Sequence, residues 1–254
     1  MDLSGRVAVV TGAGTGIGRA IALELSRRGA ALGLVGRTRA TLEVVAGEAK
    51  GEACVVTADV RERAAVDAAF DAIARRLGPL HAVVANAGVG GPNDLGGGDR
   101  WDEIVRTNLD GAYFTLRAFE RRLAAGEGWR HAIVISSCVA RFGVAGISAY
   151  SAAKAGQLGL VRSLAVELAP KKVLVNAICP GWVETQMAAD RMSEIGAGMG
   201  RGYAEARREL LAGVPLQRIS EPEEIAGVVA FLLSPAAVGF TGQALDPNNG
   251  AWMG

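Results

Sequence analysis

Thr11-Gly12-Ala13-Gly14-Thr15-Gly16-Ile17-Gly18 sits between an apolar run, residues 7–10, and a stretch of helical periodicity, residues 17–28. Glycines at alternate positions between a strand and a helix meet a definite physical requirement. The chain must turn tightly, bring its backbone close to a ligand, and leave free amides at the helix N-terminus. Such amides suit a pyrophosphate, so Gly12, Thr15, Gly16, Ile17 and Gly18 are candidate contacts for a dinucleotide. No Lys-Ser/Thr pair follows the last glycine, which excludes a P-loop.

Outward from this loop the pattern repeats. Apolar runs of strand length recur at 7–10, 31–35, 53–56, 81–85, 132–136 and 173–178. Helical periodicity fills 17–28, 38–49, 62–77, 100–124 and 149–168 between them. The strand runs lack polar alternation, as expected where helices cover both faces of a parallel sheet. Right-handed crossovers then predict an α/β fold: one doubly wound parallel sheet of the Rossmann type, a single domain over residues 1–254. Two stretches read as irregular. Residues 88–99 hold six glycines and one proline, a loop between a strand end and a helix. Residues 185–213 are polar with interspersed Met, Gly and Arg and some helical periodicity. They follow a strand end, where α/β sheets place ligands, and are the natural lid over a substrate.

Bulk composition narrows the classes. Basic and acidic residues nearly cancel, 27 against 26, with no long block of one sign, which argues against nucleic acid or an anionic membrane as partner. Three cysteines, Cys54, Cys138 and Cys179, form no CxxC, and only His81 and His131 could add imidazole ligands, so no metal site is expected. No apolar run approaches roughly 18 residues, and no signal-like segment precedes the first strand. The chain is expected to be soluble and cytoplasmic.

The second strand ends Leu34-Val35-Gly36-Arg37-Thr38. In dinucleotide folds a carboxylate there takes the ribose 2′-hydroxyl. None is present, and Arg37, flanked by Thr38, stands where a 2′-phosphate would lie. NADP(H) is favoured on this ground, with NAD(H) the alternative. Thr15, where a basic residue is common in NADP-dependent chains, leaves the preference resting on Arg37.

Tyr150 and Lys154 stand four residues apart in a helical stretch and therefore share one face. A phenol titrates near 10 in water. A neighbouring ammonium and a positive nicotinamide ring are expected to lower that value until Tyr150 exchanges a proton with a substrate oxygen. Lys154 has a second candidate role on the nicotinamide ribose. Ser136 and Ser137 end the preceding strand, and a hydroxyl there would hold the substrate oxygen against the phenol. Asn108, polar in an apolar helical stretch, would hold a water linking Lys154 to solvent.

These pieces together resemble the short-chain dehydrogenase/reductase family over essentially the whole chain. TGAGTGIG at 11–18, Asp59-Val60, Asn86-Ala87-Gly88, Asn108, Ser137, Tyr150/Lys154 and Pro180-Gly181 with Thr185 occur in that family's order and spacing. The resemblance implies a catalytic tetrad of Asn108, Ser137, Tyr150 and Lys154. It implies adenine contacts from Asp59 and Val60, and an Asn86-Ala87-Gly88 turn that lies against the adenosine ribose and braces the sheet. It assigns the nicotinamide end to Pro180, Gly181, Val183 and Thr185, and it implies a homo-oligomer, tetramer or dimer. One departure is the ending Asp246-Pro247-Asn248-Asn249-Gly250, where Asn replaces a usual glycine and would take up a left-handed backbone.

The substrate is the least determined part. Val139, Phe142, Trp182 and Met187 are candidate pocket walls and favour a mostly apolar ketone or secondary alcohol. Arg141 would either meet an anionic, phosphopantetheine-bearing substrate or lie on the surface. Similarity of the 183–189 segment to aromatic polyketide ketoreductases, and of the ending to acetoacetyl-thioester reductases, points to a 3-oxoacyl or polyketide-like ketone. Alternatives are a catabolic secondary-alcohol dehydrogenase using NAD and a non-catalytic dinucleotide-binding regulatory protein. The absence of GxSxG argues against a serine hydrolase.

Overall fold

Side chains alternate across β1 (Val7–Thr11) and determine what packs on each face of the sheet. Val7 and Val9 point into one buried cluster and Ala8 and Val10 into another. The computed structural model describes residues 2–93, 96 and 98–254. Asp94, Leu95 and Gly97, within the expected 88–99 loop, lie outside the described residues.

From β1 the chain alternates through α1 (Gly16–Arg27), β2 (Ala31–Gly36), α2 (Arg39–Glu48), β3 (Ala53–Thr57), α3 (Arg63–Leu77) and β4 (Ala82–Ala85). The next helical stretch is broken into α4 (Trp101–Val105), a π turn (Arg106–Asp110) and α5 (Gly111–Glu120). Then come β5 (Arg130–Ile135), α6 (Ser148–Leu168), β6 (Val173–Ile178), α7 (Gln186–Gly198), α8 (Tyr203–Ala212), α9 (Pro222–Leu232) and β7 (Ala244–Leu245). The sheet runs in the order β3-β2-β1-β4-β5-β6-β7 with every pairing parallel. The order reverses beside β1, and the crevice at such a switch point is where α/β sheets bind ligands. Phe70, Phe119 and Leu164, from α3, α5 and α6, fill one face, and Ile21, Leu42 and Val229, from α1, α2 and α9, fill the other.

The expected sheet is therefore present, and three features go beyond the expectation. The 100–124 helix contains the π turn, in which Gly111 N donates to Arg106 O five residues back. The 185–213 stretch, read as irregular, is two helices with a small core of their own: Ala188, Met192, Leu211 and Ile219, with Trp182 packed against it. Finally, α9 and the two-residue β7 complete the sheet side. Among the described residues, no helix is long and apolar enough to cross a membrane.

Candidate active site

The glycine loop is held from behind by the end of β4. Asn86 Nδ2 donates to Thr11 O at 3.0 Å and to Gly12 O at 3.2 Å, while Thr11 Oγ1 accepts from Asn86 N and Ala87 N. Gly12 has φ +65°, and a Cβ there would lie 2.9 Å from Ala87 Cα. A Cβ on Gly18 would run into the Gly12 carbonyl. These two glycines thus serve packing, and Asn86 is used as a brace. Gly16 differs: with φ +51°, it faces Thr185, whose Cγ2 would be 3.1 Å from an added Cβ. Thr15 caps α1 in extended geometry with no side-chain cap bond, which leaves the first amides of the helix free.

A cleft of about 370 Å³ opens in front of this loop. Gly12, Thr15, Gly16, Ile17, Gly18, Arg37, Thr38, Asp59, Val60, Asn86, Ala87, Gly88, Asn108, Tyr150, Lys154, Thr185 and Met187 all line it. Gly14 of the glycine loop lines it too, as do Thr41, Val89, Thr107 and Ile135, positions without a motif to flag them. Ser137, Pro180, Gly181, Val183, Val139, Phe142 and Trp182 are not on its wall, where Ser136 stands in place of Ser137. Pro180 is buried and its carbonyl accepts from Cys138 N. Gly181 abuts the tail, where a Cβ would be 3.0 Å from Asn248 O. Val183 is a core residue bridged to Ser220. Trp182 belongs to the small core under α7 and α8, and Phe142 is exposed.

Charge is distributed unevenly along the cleft. Arg61 forks onto Asp59, with Nη2 to Oδ2 at 2.6 Å, and its hydrogen bonds hold that carboxyl below the usual range. Arg39 pairs with Glu43, whereas Arg37 is exposed and has no ion-pair partner among the described residues. An unpaired guanidinium at the cleft rim is available to a dianion.

At the other end the π turn and α6 meet. Lys154 is 4% exposed, and its Nζ donates to Ile135 O at 2.8 Å. It lies 5.5 Å from the Tyr150 ring centroid. Ser136 Oγ donates to Lys154 O at 3.0 Å, pinning α6 to the end of β5. Burial pushes the Tyr150 phenol up to about 12, with the Ser137 hydroxyl working in the opposite direction. Burial also pulls the Lys154 ammonium down to about 8. In the ligand-free protein burial is the largest influence on the phenol and works against the expected lowering, which counted on an ammonium and a nicotinamide together.

Asn108, fully buried, does not present its amide to water. Its Oδ1 accepts from Val89 N at 3.0 Å and its Nδ2 donates to Val89 O at 2.8 Å. Arg141 is neither a surface residue nor a free anion receptor. It pairs with Asp246 at 3.0 Å and stacks 4.8 Å from the Trp252 ring. The tail thus folds onto its own subunit beside the Ser137 turn, and Asn249 takes up the left-handed backbone, φ +58°.

A parallel sheet with a glycine loop at its switch point, and a Tyr–Lys helix closing the same cleft, defines a dinucleotide-dependent oxidoreductase. A family model described as enoyl-(acyl carrier protein) reductase matches residues 12–251. The chain is 38% identical over 259 residues to a 3-oxoacyl-(acyl-carrier-protein) reductase of Pseudomonas aeruginosa, covering 100% of both. Against the reductase of the same name from Escherichia coli it is 32% identical over 255 residues, again covering 100% of both. Among solved structures, levodione reductase superposes with TM-score 0.90 at 32% identity, covering 98% of each chain. A single-site variant of actinorhodin polyketide ketoreductase with NADPH gives TM-score 0.88 at 33% identity, covering 97% of each. The chain belongs to the short-chain dehydrogenase/reductase family.

Proposed function

We propose that this chain is an NADPH-dependent reductase of a 3-oxoacyl or polyketide-like ketone. The observation that carries the reading is the shared cleft. Tyr150 and Lys154 close one end of the space whose other end holds the glycine loop and the unpaired Arg37. The free amides after Thr15 and the bare Gly16 fit a pyrophosphate, which a side chain at Gly16 would crowd. Arg37 and Thr38 would hold the 2′-phosphate, Asp59 and Val60 the adenine, and the Asn86-Ala87-Gly88 turn the adenosine ribose. Lys154 would bind the nicotinamide ribose, and Thr185, with the Pro180–Val183 backbone behind it, the carboxamide.

A bound nicotinamide supplies hydride for the carbonyl carbon. Ser137 and Tyr150 hold the carbonyl oxygen, and Tyr150 gives up its proton as the alkoxide forms. With the phenol near 12 before binding, Tyr150 enters the reaction protonated, as ketone reduction requires. Two hydroxyls converging on one oxygen suit a C=O bond, in line with the relatives named 3-oxoacyl reductases, more than the C=C bond in the family model's description.

The α7–α8 pair, within 185–213, serves as the lid: Met187 already lines the cleft, with Sδ 3.3 Å from where a Gly90 Cβ would stand. Assembly into a dimer or tetramer would cover Val166, 79% exposed on α6, and the edge-packed Phe231 and Phe240 near β7. Fluorescence titration with NADPH and NADH, followed by NADPH oxidation with acetoacetyl-coenzyme A, tests the reading. Tight NADPH binding with turnover is expected; tighter NADH binding and no ketone reduction would overturn it.

A further inference from the structure

The catalytic helix carries a buried amide whose use the assignments above leave unexplained. Gln157 is 1% exposed and stands one turn after Lys154 on the same face of α6. Its Nε2 donates to Asn108 O at 2.6 Å, at the π turn. That bond fixes the amide's orientation, so Oε1 points away from Asn108, and among the described residues it has no hydrogen-bond partner. Leaving an amide oxygen buried and unpaired is costly. A leucine or methionine would fill the same space without that cost, and the neighbouring contact, Leu109 on Gly156, is already apolar.

A chain of hydrogen bonds leads to this residue. The Val89 backbone grips the Asn108 side chain at both ends, the Asn108 carbonyl accepts from Gln157, and Gln157 is one turn from Lys154. Lys154 has three donor protons and spends one on Ile135 O. We propose that Gln157 is a positioning residue for proton delivery: Nε2 locks the π turn to the catalytic helix, and Oε1 accepts the hydrogen bond of a water shared with Lys154. Asn108, with its side-chain amide spent on Val89, aligns this relay. The titratable groups facing Lys154 are Tyr150 on its own helix and Cys179 at the end of β6. The proton given to the alkoxide by Tyr150 is then replaced from solvent through Lys154 and this water.

The inference rests on the reductase reading, and the test separates the two. Wild-type protein, Gln157→Met and Gln157→Glu are compared by NADPH oxidation with acetoacetyl-coenzyme A across pH 6–9 and in deuterium oxide. In cofactor-free protein, NADPH affinity and amide exchange are measured. The Met variant is expected to lose about tenfold in kcat, the low end of what such supporting contacts contribute. Its solvent isotope effect should rise, its NADPH affinity stay within about twofold, and its Val89 amide exchange about tenfold faster. The Glu variant, which keeps acceptor oxygens, should recover the wild-type isotope effect while its Val89 amide stays fast. An active wild type with a Met variant of unchanged kcat, or with a kcat loss and no change in isotope effect or Val89 exchange, would overturn the inference. A wild type that does not reduce the thioester overturns the reductase reading instead.

Discussion

The two walls of the cleft are built on different amounts of buried structure. On the cofactor wall, the glycine loop leaves a fully buried strand, is tied by Asn86 to the next, and opens a helix sunk in one of the two main cores. On the substrate wall, α7 and α8 pack on a small core of four buried residues, and the segments flanking them are joined by the Val183–Ser220 bridge and the Arg207–Glu184 ion pair. A wall embedded in the global core opens only when the protein unfolds. One resting on a small satellite core is free to open by itself, as a segment that admits substrate must.

The largest expected effect falls where the walls meet. Tyr150→Phe should lower kcat by ~10²–10⁴, the usual range for a general acid, while NADPH affinity by fluorescence changes only a few-fold. Retention of most of the turnover would remove Tyr150 from the chemistry. Next, Arg37→Ala should weaken NADPH by about 1.5–3 kcal/mol, the worth of a hydrogen bond to a charged group, and leave NADH unchanged. Equal losses for both would make Arg37 a bystander.

A pair of substitutions tests the comparison directly. Gly18→Ala forces a methyl onto the Gly12 carbonyl and should destabilise the whole fold by about 1–3 kcal/mol, read as a fall in Tm. Met192→Ala hollows the small core, where such truncations cost about 2–5 kcal/mol locally. It should raise proteolysis within 186–212 and KM for the ketone with little change in Tm. A Met192→Ala variant that melts as early as Gly18→Ala would show that the two walls are one cooperative unit.

The smallest effect is a slope. The Lys154 ammonium is near 8 in the folded chain and titrates higher when exposed. Between those values the unfolded chain binds the extra proton, so this residue makes stability rise with pH above about 8. Tm measured from pH 7.5 to 9.5 should show that rise, flattened in Lys154→Met. Identical slopes would place the titration elsewhere.

The first six strands could be read from sequence because both of their faces are covered, which leaves largely apolar runs such as Val7–Thr11 and Val173–Ile178, the second interrupted only by the buried Asn176. The helices at 186–198 and 203–212 were obscure for the converse reason: each buries only a few residues, so little periodicity marks them. The π turn shifts hydrogen bonding by one residue without disturbing the apolar spacing around Asn108. Spacing also identified Tyr150 and Lys154 as partners, but the direction of the phenol's shift depends on burial, which no motif reports. Arg141 looked available because Asp246 and Trp252 lie more than a hundred residues away in sequence.

The stacking of Trp252 on Arg141 also has an optical side. Of the four tryptophans, Trp252 sits against the turn that bears Ser137, and Trp182 sits in the small core beneath α7 and α8. Indole emission responds to neighbouring charge and to water, so the Ser137 turn and the α7–α8 wall carry separate built-in fluorophores. Keeping Trp252 or Trp182 as the single indole, with the other three replaced by phenylalanine, would let the signal follow either place alone while ligand enters.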